Sequence, residues 1–186
     1  MERLASENRE KLIDLLKERF TFECTGVKLY DKVLQRLTVT PELLNGLRVA
    51  EYRSLSEKLR SIRDEEQEHA EWLAGQIELL GGNPRRKGDA SYFVTREAAG
   101  IEDVILHTES PIPQLFHALL AAELSDTAGW DLLMMLADEA GDYRARAEFE
   151  RRFQEEERHL QTIRQCLSRM TLAEVLPTHV PVHAGV

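Results

Sequence analysis

The sequence predicts an all-α protein, a single four-helix bundle with a long crossover between the second and third helices. Three observations predict it. Apolar residues recur at alternating spacings of three and four through four separate stretches, the seam of packed helices. The few Gly and Pro residues cluster between those stretches. The connection over residues 83–110 is too long for a tight helical hairpin, so it lets the second and third helices run parallel.

The first helix is expected over Glu7 to Leu37, with Ile13, Leu16, Phe20, Val27, Tyr30, Leu34 and Leu37 in its seam. Thr40-Pro41-Glu42 reads as an N-cap followed by proline at the first helical position, and Asn45-Gly46 restricts any helix there to a short turn. The second helix is expected over Ala50 to Leu80, on Leu59, Ile62, Leu73, Ile77 and Leu80, with Gly81-Gly82 and Pro84 as its stop. A short helix between Tyr92 and Leu106 is expected inside the crossover. Ser110-Pro111 opens the third helix, which presents Phe116, Leu119, Leu120, Trp130, Leu133 and Met134 and ends near Gly141. Asp142 is the expected N-cap of the fourth, whose seam is Phe149, Phe153, Leu160, Ile163, Leu167 and Met170. Residues 1–175 then make one bundle domain. Residues 176–186, which hold Pro177, His179, Pro181 and His183, read as a flexible tail.

The formal net charge of -9 makes the chain a poor match for nucleic acid, whose binding rests on Lys and Arg, and a better one for cations. Two cysteines, Cys24 and Cys166, exclude a rubredoxin-type or zinc-ribbon site within the chain and read as core or interface thiols. The polar start, Met1-Glu2-Arg3-Leu4, carries no apolar signal region, and no run of eighteen apolar residues exists for a membrane span. Cytoplasm is the expected compartment.

Four seam slots are filled by carboxylates. Glu23 and Glu123 sit alone in the first and third seams. Glu66 and Glu156 sit in the second and fourth, each followed three residues later by a histidine, His69 and His159. A carboxylate in a core slot costs several kcal/mol unless it is paired or coordinated. Residues three apart share a helix face, so Glu66 with His69 can grip one ion and Glu156 with His159 another. Glu23 and Glu123 then complete a four-glutamate, two-histidine set suited to iron or manganese. The plainer reading of Glu66 is a solvated charge in the run Asp64-Glu65-Glu66-Gln67-Glu68, and of Glu156 one in Glu155-Glu156-Glu157. Tyr30, two turns after Glu23, reads either as a hydrogen-bond donor or radical relay beside the ions, or as a core tyrosine with a satisfied hydroxyl. Asp126 reads either as the acceptor for the free ring N–H of a ligating histidine, or as a surface aspartate. Trp130 reads as core packing, and His107 and His117 as structural or exposed.

Through Phe22-Glu23-Cys24, Asp64-Glu65-Glu66-Gln67-Glu68-His69, Ala121-Ala122-Glu123-Leu124 and Glu155-Glu156-Glu157-Arg158-His159, the chain resembles the ferritin-like di-iron carboxylate superfamily, bacterioferritin and rubrerythrin above all. The resemblance covers about residues 7 to 170. It implies a ferritin-like bundle with Glu23, Glu66, His69, Glu123, Glu156 and His159 as ligands of two iron ions, or of manganese. It further implies Fe(II) oxidation by oxygen or peroxide, an external electron donor where the centre turns over, and by analogy a homodimer. Departures are a longer linker between the first two helices and the lack of a clear fifth helix after Met170. The rival readings are a di-iron oxygenase acting on an organic substrate, a manganese catalase, and a non-catalytic helical stress or scaffold protein.

Overall fold

The computed structural model describes residues 1–39, 49–107 and 109–176. Among them lie five helices and no strand: α1 (Glu2–Val39), α2 (Val49–Leu79), α3 (Asp89–Leu106), α4 (Ile112–Glu139) and α5 (Tyr143–Val175). The expected turn at Thr40-Pro41-Glu42 and most of the expected tail, residues 177–186, fall outside the described residues.

Two apolar clusters fix the helix directions. Leu12 and Leu16, early in α1, share one cluster with Leu73 and Ile77 late in α2, Trp130 and Leu133 late in α4, and Phe149 early in α5. Leu29, Val33 and Leu37, late in α1, share the other with Leu55 and Leu59 early in α2, Leu115 and Phe116 early in α4, and Ile163 late in α5. The four long helices therefore run up, down, down and up. The crossover helix α3 packs against α1 and α4, where Val94, Ala98 and Ile105 are buried. It begins earlier than the sequence suggests, at Asp89 instead of Tyr92.

The helix ends follow local chemistry. Gly81 (φ 84°) and Gly141 (φ 63°) take the left-handed conformation after α2 and α4. The next amide closes the turn in each case, Gly82 N–H to Ile77 O and Asp142 N–H to Ala137 O, both at 2.8 Å. Asp142 caps α5 as expected, accepting from the Ala145 amide at 3.1 Å. Its second oxygen accepts from the Arg3 and Leu4 amides. That double use explains why helix begins at Glu2: one turn docks on Asp142, buries Leu4 and Ala5, and breaks at Asn8, whose Oδ1 caps the restart by accepting from Lys11 N. Pro111 is the N-cap residue of α4, and no side chain bonds there, so Ser110 does not cap it.

Burial on α1 is broader than a single seam, because α2, α3 and α4 all touch it. Ile13, Phe20 and Leu34 are only half-buried, while Leu12, Phe22, Leu29 and Val33 are fully covered. Among the described residues no helix is long and apolar enough to cross a membrane.

Candidate metal centre

Between the two apolar clusters lies a layer of buried polar side chains. Glu23 (α1), Glu66 and His69 (α2), Glu123 and Asp126 (α4), and Glu156 and His159 (α5) are each at most 2% exposed. The run Asp64–Glu68 is thus not uniformly solvated: Glu66 turns inward. A helix face is reused every three or four residues, so each Glu-x-x-His brings both side chains to the same depth.

Their donor atoms fall into two overlapping cradles, each with its atoms within 4.8 Å of one another. One joins Glu23, His69 and Glu156. The other joins Glu66, Glu123, Glu156 and His159. His69 Nδ1 stands 2.8 Å from Glu156 Oε1 and 3.4 Å from Glu23 Oε2. His159 Nδ1 stands 3.2 Å from Glu156 Oε2, 3.4 Å from Glu66 Oε1 and 3.9 Å from Glu123 Oε2. Glu156 therefore faces both histidines, one with each oxygen. Spacing along the helix pairs Glu66 with His69 on one ion; the geometry instead sets Glu66 beside His159 of α5, because the facing helix is nearer to its carboxylate than its own next turn.

The supporting partners cross the bundle in reciprocal pairs. His69 Nε2 is bonded to Glu155 Oε2 of α5 and His159 Nε2 to Glu65 Oε2 of α2, both at 2.9 Å. The Tyr30 hydroxyl on α1 donates to Glu123 Oε1 on α4. Trp130 Nε1 on α4 donates to Glu23 Oε1 on α1 at 2.8 Å. Asp126 does not serve a histidine ring; it forms a buried ion pair with Arg19, so that expectation is corrected. Glu65 and Glu155 take the role, reaching the outward nitrogens from the residue just before each inward glutamate. The doubled acid in Glu-Glu-x-x-His was the available signal for them. Two glycines inside helices mark close approaches. A Cβ on Gly26 would lie 2.6 Å from Glu66 Oε2, and one on Gly129 would collide with the Arg19 guanidinium. Trp130, read as packing, is both core and hydrogen-bond donor. His107 and His117 are exposed, and Cys24 and Cys166 are free, half-buried thiols.

The electrostatics match a site short of positive charge. Burial disfavours the His69 imidazolium, but hydrogen bonds to Glu155, Glu156 and Glu23 outweigh it and push the ring up to about 12. His159 is raised in the same way: burial is outweighed by hydrogen bonds to Glu156, Glu65 and Glu66. Burial pushes Glu66 well above the carboxylate range, with Glu156 adding repulsion, and the same two causes lift Glu123 to about 8. Glu156 goes the other way, to about 2, because both imidazoles overcome its burial. Glu23 Oε2, Glu66 Oε2 and Glu123 Oε2 are buried without a hydrogen-bond partner, and His69 Nδ1 and Glu156 Oε1 face each other at 2.8 Å. Orphaned carboxylate oxygens converging with imidazole nitrogens fit hard or borderline divalent cations.

The family model described as "Ferritin-like domain" matches residues 47–173. The chain belongs to the ferritin-like domain family. This ferritin-like chain is similar in fold to a solved bacterioferritin of Desulfovibrio desulfuricans, at a TM-score of 0.63 and 20% identity, over 100% of this chain and 94% of that one. The structure of that bacterioferritin is described as showing its diiron site in different catalytic states. No curated protein matches the chain.

Proposed function

We propose that this ferritin-like protein holds a dinuclear iron centre and oxidises Fe(II) with oxygen or hydrogen peroxide, in iron handling or peroxide removal. One observation carries the reading: Glu156 faces both imidazoles and belongs to both cradles. A carboxylate so placed can bridge two ions. Glu23 and His69 would hold one ion, and Glu66, Glu123 and His159 the other. Four carboxylates then balance two divalent cations, which relieves the desolvation cost of the buried charges. When bound, the pair would supply two one-electron reductants.

The remaining roles belong to the chain's own residues. Glu155 and Glu65 keep each ring turned so that Nδ1 points inward. Tyr30 and Trp130 hold one oxygen of Glu123 and of Glu23, leaving the other oxygen of each for an ion. Hydrogen peroxide takes two electrons and two protons and leaves as two waters; repeated turnover draws those electrons back from an external donor. The acidic balance of the chain favours cation approach. The apolar groove among Leu4, Leu12, Leu15 and Leu136 is lined by none of the cradle residues, which gives an organic-substrate reading no support. A homodimer in the cytoplasm belongs to the same proposal.

The test is an anaerobic Fe(II) titration of the metal-free protein, followed by oxygen or peroxide with absorbance recorded. Two irons per chain and a near-ultraviolet ferric band are expected, and the faster oxidant names the role. Tight Mn(II) binding with no iron oxidation would transfer the proposal to manganese. No stoichiometric binding of either ion would leave a helical scaffold.

A further inference from the structure

Asp126 lies within reach of the centre without belonging to either cradle. It forms a third group with Glu23, Glu66 and Glu156, with donor atoms again within 4.8 Å of one another. Yet the pattern that repeats between the two hairpins contains no such residue: the position three after Glu123 is Asp126, and the position three after Glu23 is Gly26. The asymmetry continues at Arg19. Its guanidinium pairs with Asp126, reaches toward the Ser125 carbonyl at 3.5 Å, and lies 3.8 Å from Glu23 Oε1. Arg19 is 6% exposed, and Gly129 clears the space its guanidinium occupies. A buried arginine costs several kcal/mol of desolvation unless it is well paired, so its carboxylate partner is committed to it.

The two cradles are unequal. The His69 cradle has two carboxylates, Glu23 and Glu156, and a fixed cation next to Glu23. The His159 cradle has three, Glu66, Glu123 and Glu156. We propose that Arg19 sets this inequality: by keeping Asp126 paired, although its carboxylate lies beside Glu23 and Glu156, it withholds a ligand from the His69 cradle and makes that ion the weaker and exchangeable one, while the ion at His159 stays. Arg19 is thus a positioning residue that acts through Asp126. The inference rests on the metal reading above and deepens it, because an exchangeable ion beside a retained one is what a centre needs to pass oxidised iron onward without emptying.

The experiment is an anaerobic calorimetric titration of the full metal-free chain with Mn(II), the free ion being followed by its electron paramagnetic resonance. The wild type is expected to bind in two steps, and His69→Ala to lose only the weaker. Arg19→Gln frees Asp126 and should tighten the weaker step roughly tenfold or more, in the range of other neighbour effects on metal ligands, leaving the tighter step in place. Arg19→Lys, which keeps the cation, should restore the separation. Arg19→Gln with Asp126→Asn, a neutral pair of similar shape, should return the steps to their wild-type spacing. Asp126→Asn alone should weaken only the weaker step, and it serves as the test if Arg19→Gln does not fold. Two equal steps in the wild type, or an Arg19→Gln protein whose weaker step does not move, would overturn the proposal and leave the dinuclear centre standing. Failure of the wild type to bind either Mn(II) or Fe(II) would overturn the centre itself.

Discussion

The hydroxyl of Tyr30 donates to Glu123 Oε1, reaching from α1 to α4 across the layer of carboxylates. Tyr30 is only two turns from Glu23 on its own helix, yet its partner belongs to the other hairpin. Tyr30→Phe removes the donor from a buried carboxylate, which costs about 1–3 kcal/mol. The expected protein melts lower, still binds two ions, and oxidises Fe(II) roughly tenfold more slowly, the rate cost of about 1.4 kcal/mol. Stopped-flow absorbance and a thermal melt measure both; unchanged values in each would return Tyr30 to plain packing.

The outward nitrogens of the histidines give a second prediction. Glu65→Gln loosens His159 and Glu155→Gln loosens His69, since each amide replaces a charged acceptor at 2.9 Å. Each variant should lose about 10–100-fold in affinity for the ion on the histidine it supports. Competition with a chelator reads this directly, and equal loss from both cradles in either variant would contradict the pairing.

Metal binding should release protons. In the metal-free protein His69 and His159 are raised well above neutrality and Glu123 sits at about 8, so these three carry protons at pH 7, and the upward shift of Glu66 acts in the same direction. Ligation requires the deprotonated forms. The metal-free state therefore binds more protons than the loaded one, and affinity must rise with pH. The rise should be steep between pH 6 and 8 and lessen once Glu123 has ionised. Titration in two buffers of different ionisation enthalpy counts the protons, and pH-independent affinity would contradict the assignment.

Gly26 separates folding from binding. Gly26→Ala gains about 1 kcal/mol of helix propensity, while its Cβ forces Glu66 Oε2 away from its present position. Stability should change by no more than about 1 kcal/mol, because the displaced atom is the end of a flexible chain. Affinity should fall by roughly tenfold or more, as for other changes beside a metal ligand. A melt and an Fe(II) titration on the same sample decide it.

The helices were legible because their seams repeat at one period over long stretches. The inward carboxylates were legible because each interrupts a seam where Leu or Phe is otherwise found. What the sequence hid were pairings between helices. Glu66 with His159, Asp126 with Arg19, and Tyr30 with Glu123 each join side chains on facing helices, and spacing within one helix cannot select a partner on another. The turn before Asn8 was missed for a related reason. It is held by Asp142, more than a hundred residues away, and not by an amphipathic pattern of its own.

Each cradle draws on both hairpins: Glu23 and His69 need Glu156, and Glu123 and His159 need Glu66. An ion in either place would thus clasp the two hairpins at mid-height, where polar side chains meet. Loss of the ions should therefore alter how the bundle comes apart as well as when. The loaded protein would unfold as one unit. The stripped protein, whose middle layer keeps its buried polar groups without the ions that would join them, would open there first, and amide exchange would quicken in α2 and α5 together while the apolar layers above and below stay protected.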